Sequence, residues 1–119
     1  MAKPIDPRTE IGHVHLKVSD LERALTFYSG VLGFEVTQRM GDSAAFLSAG
    51  GYHHHIGLNT WESQGGSPPA PGTTGLYHFA IRYADRASLP GPANPNARLL
   101  TKPFRPSALA ATVREILAR

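Results

Sequence analysis

Apolar and polar residues alternate from Ile11 to Val18, with Val14, Leu16 and Val18 on one side and His13, His15 and Lys17 on the other. A period of two predicts a half-buried strand whose imidazoles share the face turned away from the core. The period then lengthens. Leu21, Ala24, Leu25, Tyr28 and Leu32 fall on one helical stripe, introduced by Ser19-Asp20-Leu21-Glu22. That tetrapeptide reads as a capping box, the serine hydroxyl taking an early amide and the glutamate reaching back. Gly33 stands where a left-handed C-terminal cap is needed.

Three further strands are predicted in meander order: Phe34 to Met40, Ala44 to Ala49 and Tyr52 to Asn59, separated by turns at Gly41-Asp42 and Gly50-Gly51. The first 60 residues therefore read β-α-β-β-β. Thr60 to Gly75, rich in Gly, Pro and Ser, reads as a loop, and Leu76 to Tyr83 alternates again as the opening strand of a second module. The pattern changes near Ser88. Leu89 to Asn96 holds three prolines and two asparagines, Arg98 to Thr101 fits a short strand, and Pro106 to Ala118 fits a helix with Leu109, Val113, Ile116 and Leu117 on one face. The expected class is α+β: one β-α-β-β-β module (residues 1–89, with the start of a second) and a linker with a C-terminal strand and helix (residues 90–119), packed as one compact unit.

Composition narrows the chemistry. The 119 residues are 41% apolar, enough for one domain with a core and too few for two. With no cysteine, thiolate metal sites and a cysteine nucleophile are excluded, so any metal is held by histidine and carboxylate. The net charge of +3 and pI near 9.6 come from Lys and Arg spread along the chain without clustering among aromatics, which argues against nucleic acid as a partner. No run approaches the roughly 20 apolar residues of a membrane span, and the Met-Ala-Lys-Pro start has no apolar signal segment; the expected location is cytoplasmic.

Histidine carries the candidate chemistry. His13 opens the first strand, His53-His54-His55 lies in the fourth, and His78 lies in the segment that begins the second module. Parity puts His13 and His78 on polar faces, Tyr77, Phe79 and Ile81 opposing His78, Ala80 and Arg82. Ile56 and Leu58 share parity with His54, so His53 and His55 are expected to face outward with Gly57 and Asn59. His55 fits a ligand, a hydrogen-bond donor behind the ligands, or an acid-base group near neutral pH. Arg82 suits an anionic substrate, and Tyr52 or Trp61 suits the wall of a pocket for an aromatic ring. Asp20 and Glu22 belong to the helix start and Glu35 alternates with core Phe34 and Val36, which leaves Glu62 and Glu10 as carboxylates able to approach, and each better fits a solvated surface position.

From Ile11 to about Leu89 the chain resembles the vicinal oxygen chelate superfamily of glyoxalase I, bleomycin and fosfomycin resistance proteins and extradiol ring-cleaving dioxygenases. The resemblance rests on His13, Asp20, Phe27-Tyr28, Leu32-Gly33-Phe34 and the run from Gly51 to Trp61. His53 to Trp61 followed by Gly75-Leu76-Tyr77-His78-Phe79 is most similar to the catechol 2,3-dioxygenase branch. The resemblance implies paired modules forming a mixed, curved, cup-shaped sheet, with His13 and His78 as metal ligands. It implies a divalent metal, Fe(II) foremost and Mn(II) as an alternative. It also implies a small aromatic or diol-type ligand. On parity and side-chain chemistry, Asn59, Arg82 and Trp61 are the candidate substrate-binding residues and His55 the candidate catalytic residue.

Two histidines and one carboxylate on one face of a ferrous ion leave positions for a chelating diol and dioxygen. His13 and His55 are 42 residues apart, so the corresponding last strand of a second module, the source of the carboxylate, is expected near position 120, past Arg119. Leu99 to Leu117 instead resembles the last strand and helix of a response-regulator receiver domain, with Lys102-Pro103 at its centre but no phosphoacceptor before it. The expectation is an incomplete metal site, with the exposed sheet edge covered by homodimer formation. Three functions follow from the sequence: an extradiol dioxygenase-like protein, a small-molecule binding module without turnover, and a recombined gene product with no catalytic role.

Overall fold

The computed structural model describes residues 2–90. The chain divides into two units, one ending at Ser67 and the next beginning at Pro68. In the first unit the elements are β1 (Val14–Lys17), α1 (Leu21–Leu25) continuing into a π-helical segment (Thr26–Val31), β2 (Glu35–Met40), β3 (Ala44–Ser48) and β4 (Ile56–Asn59). This is the β-α-β-β-β order expected from the sequence.

The four strands form one mixed sheet in the order β1-β4-β3-β2. The helical crossover carries the chain from one edge of the sheet to the other, and two antiparallel steps bring it back until β4 lies parallel to β1. The register pairs Val14 with Ile56, His15 with Gly57, Leu16 with Leu58 and Lys17 with Asn59, while Leu47 and Ala45 of β3 face Ile56 and Leu58. One side of the sheet therefore collects Val14, Leu16, Ala45, Leu47, Ile56 and Leu58. Leu21, Leu25 and Tyr28 complete this core from the helical side, all three buried. Burial disfavours the charged form of the Tyr28 phenol and raises its pKa.

The helix ends differ in detail from expectation. Asp20, not Ser19, is the N-cap: its Oδ1 accepts the Arg23 N–H at 2.9 Å, while Ser19 Oγ accepts from the Arg23 guanidinium. Both residue types cap well, and the sequence leaves the choice between neighbours open. The last six residues widen to π geometry, with the Thr26 hydroxyl donating to the Glu22 carbonyl and Leu32 N–H reaching back five residues to Phe27. Gly33 closes the helix as expected. It sits at φ +88°, with Gly33 N–H on the Ser29 carbonyl, the single 5→1 bond of an αL cap, and Phe34 N–H on that of Tyr28.

β4 starts at Ile56, four residues later than predicted, because Gly51 to His53 bend instead of continuing the strand. Opposite them, β2 carries a bulge between Val36 and Gln38. The Thr37 hydroxyl at the bulge lies 3.1 Å from the Phe46 carbonyl and 2.9 Å from that of His53, and its one proton is shared between them. Bulge and bend are thus tied together.

In the second unit, Leu76 to Tyr83 is not a strand, which corrects the strand expected there; a strand needs a ladder partner, and the described residues supply none here. Alternation survives as burial, with Phe79, Ile81 and Tyr83 less exposed than His78, Ala80 and Arg82. A short 3-10 turn follows at Arg86–Ser88. The expected strand at 98–101 and helix at 106–118 lie outside the described residues, as does Lys102. No described helix is long and apolar enough to cross a membrane.

Leu47 is fully buried at the centre of β3. Leu47→Ala is expected to cost about 3 kcal/mol in urea unfolding, and Asp20→Ala about 1 kcal/mol through loss of the cap.

Candidate functional site

The sheet face opposite the helix carries the imidazoles. Register places His15, Gly57 and Phe46 in one row across β1, β4 and β3, with Lys17, Asn59 and Ala44 in the next. His13 precedes β1, whose first amide, Val14 N–H, donates to the His55 carbonyl at 3.0 Å. The first-strand histidines are thereby locked beside the run from His53 to His55.

His15 depends on the glycine next to it. A Cβ on Gly57 would lie 2.7 Å from His15 Nδ1 and 3.0 Å from its Cγ, so the ring rests on space that any other residue would fill. Its Nε2 is 2.8 Å from Asn59 Nδ2, and its ring centroid is 5.8 Å from those of both Phe46 and Trp61. Asn59 is buried, and its Oδ1 accepts the Trp61 N–H at 3.1 Å. Trp61, half exposed, donates its indole N–H to Ser43 Oγ at 3.2 Å. A continuous chain of bonds runs from the β2–β3 turn through Trp61 and Asn59 to His15.

His55 is held from the other side. Its Nδ1 accepts the Ala49 N–H at 3.1 Å and lies 3.2 Å from the Ser48 hydroxyl, which is fully buried. A backbone N–H can only donate, so Nδ1 is the unprotonated nitrogen and neutral His55 carries its proton on Nε2. Tyr52 packs on this ring at 4.7 Å and on His53 at 4.0 Å. The Tyr52 hydroxyl also lies 3.0 Å from the point where a Gly12 Cβ would be, so the ring bridges the hairpin bend and the start of β1.

His54 departs from its predicted parity. The alternation from Ile56 and Leu58 assigned it to the core side, yet its ring is 4.4 Å from His13 and 5.0 Å from Phe46, both of the imidazole face. The bend before β4 breaks the period on which that prediction rested. His53 and His54 bring their Nδ1 atoms to 2.9 Å. Partial burial, and then the positive charges that His13, His53, His15 and His55 would carry, lower the His54 pKa and favour its neutral form.

His13, exposed, makes no hydrogen bond through its imidazole among the described residues. Glu62 is engaged at the surface with Lys17 at 3.0 Å, and Glu10 is exposed. His78 is exposed in the second unit, its ring 5.5 Å from that of Tyr77; Arg82 is also exposed there. Among the described residues, no three histidine or carboxylate side chains converge as a metal-holding group. Sequence reasoning did not single out Phe46, Ser48, Thr37 or the clamp on His15. The only signal was the shared parity of His13 and His15, because cross-strand register is not visible in one segment.

Residues 10–89 match the family described as Glyoxalase/Bleomycin resistance protein/Dioxygenase superfamily. Over 74 residues the chain is 50% identical to a catechol-2,3-dioxygenase of Bacillus subtilis (strain 168), an alignment covering 61% of this chain and 26% of that protein. The chain thus spans about a quarter of the length of this curated relative. No solved structure matches it.

The Gly57 contact has a measurable consequence. Gly57→Ala is expected to displace His15 and break its bond to Asn59, lowering stability by about 1–3 kcal/mol in urea unfolding. In a His15→Ala background most of that loss is expected to vanish, giving a coupling energy that a double-mutant cycle reads directly.

Proposed function

The chain belongs to the glyoxalase/bleomycin resistance protein/dioxygenase superfamily, and on that premise we propose that it serves as one module of a ring-cleaving dioxygenase of the extradiol, catechol-opening type. The observation that carries this reading is the 50% identity over 74 residues to a catechol-2,3-dioxygenase. The imidazole face supports it: a row of histidines on a sheet, flanked by Phe46 and Trp61, offers polar contacts to ring hydroxyls and apolar contacts to the ring.

The divalent metal of such enzymes, Fe(II) foremost, needs two imidazoles and a carboxylate on one face. The described residues do not make up that set. His55 also opposes direct ligation: a ligating imidazole presents an unprotonated nitrogen, whereas the Ala49 N–H leaves the His55 proton on Nε2. We assign His13, whose imidazole makes no hydrogen bond among the described residues, and His78 as the histidine donors, the third donor coming from outside residues 2–90. The residues of the first unit would position the organic ligand: Phe46 and Trp61 flank its ring and Asn59 acts through His15. His55 offers Nε2–H as a proton donor. Pairing with a second copy covers the open edges of β1 and β2.

Anaerobic titration of the purified protein with ferrous ion, followed by catechol and air, tests the reading. Stoichiometric binding is expected in the wild type and at least tenfold weaker binding in His13→Ala and His78→Ala, with a yellow ring-cleavage product in the wild type alone. Metal binding that survives both substitutions unchanged, or metal-loaded protein with no product, would overturn it.

A further inference from the structure

The hydrogen-bond chain that ends at His15 settles where that residue carries its proton. Trp61 N–H can only donate, so the Asn59 atom 3.1 Å from it is the carbonyl oxygen and the other end of the amide is NH2. That NH2 lies 2.8 Å from His15 Nε2 and can only donate to it. Nε2 is therefore the acceptor, and the neutral ring holds its proton on Nδ1. Unconstrained histidine favours the opposite tautomer. Asn59, buried and fixed at both ends, imposes the rarer one.

An imidazole in this form has no free lone pair to give a metal: Nε2 is occupied and Nδ1 is protonated. It is a neutral, directional donor instead. His15 is exposed on the sheet face, with Phe46 in edge-on contact and Trp61 tilted beside it. Two aromatic side chains around one N–H donor fit a planar ring bearing an oxygen acceptor.

We propose that His15, clamped by Asn59 over Gly57, is a ligand-binding residue that donates Nδ1–H to the oxygen of a phenolic or catecholic ring lying against Phe46 and Trp61, with Asn59 as its positioning residue. This deepens the dioxygenase reading and rests on it for the class of ligand, but it does not require the metal. It also separates two neighbouring histidines by role: His13 keeps its nitrogens available, whereas His15 has committed both.

Two measurements on the metal-free full chain test the proposal. Ring nitrogen NMR at about pH 8.5, above ordinary histidine titration, is expected to show His15 as Nδ1–H in the wild type and shifted toward Nε2–H in Asn59→Ala. Trp61 is the single tryptophan, so its fluorescence reports directly on catechol added as the probe. His15→Ala, at an exposed position, is expected to weaken catechol binding about tenfold. His15→Asn, whose amide nitrogen lies near the Nδ1 position, is expected to restore most of the loss, whereas His15→Gln is not. An Nε2–H tautomer in the wild type, catechol affinity unchanged in His15→Ala, or no response of wild-type Trp61 to catechol would each overturn the proposal. Histidine-dependent catechol binding without ring opening would remove the dioxygenase reading and leave this one standing. Ring opening with a KM indifferent to His15→Ala would do the reverse.

Discussion

The parallel pairing of β1 with β4 is the constraint on which the rest of the molecule depends. It sets Val14 and Leu16 against Ile56 and Leu58 on the helix side and, by the same alternation, sets the histidines beside His55, Gly57 and Asn59 on the other. A slip of one residue would send imidazoles into the core and leucines into solvent. Two terminal bonds pin the register, Val14 N–H to the His55 carbonyl at 3.0 Å and Val18 N–H to that of Asn59 at 2.9 Å. A steric key joins them, since the His15 ring fits opposite a residue without a side chain and β4 has one glycine.

Much of this order was legible in the chain. The period-two segments of the first 60 residues, the helical stripe and Gly33 each report a local preference, and each became the expected element because packing agreed with it. The failures share a cause. Asp20 displaced Ser19 because both satisfy the same amides. His54 left its assigned side because a bend, tied to the β2 bulge through Thr37, interrupts a period that sequence extrapolates unbroken. Leu76 to Tyr83 kept the alternation of a strand without becoming one, because a ladder partner is a property of another segment. The candidate site divides in the same way: residue types and their parity were visible, whereas the hydrogen bonds that decide each imidazole's role belong to the folded chain. Asn59, expected among the substrate-binding residues, is buried and hydrogen-bonded to His15 and the Trp61 amide.

Family membership and the donor set point to different levels of function. The first rests on residues 10–89 as a whole; the second is a matter of three side chains meeting at one point. A module can retain the fold and the ligand-facing surface of its superfamily while the metal centre draws on chain beyond it. Within residues 2–90 the imidazole face carries Phe46 and Trp61 beside His15, and no three histidine or carboxylate side chains converge on one point.

His55 and His15 receive their protonation patterns from the main-chain amides of Ala49 and Trp61, directly in one case and through Asn59 in the other. Those amides belong to every residue except proline. The side chains at positions 49 and 61 can change while both proton positions persist, provided Asn59 is kept to relay the second, so the feature rests on loop geometry and one amide side chain. A change in the length of the β3–β4 or post-β4 turn would reassign the protons of the site without altering any histidine.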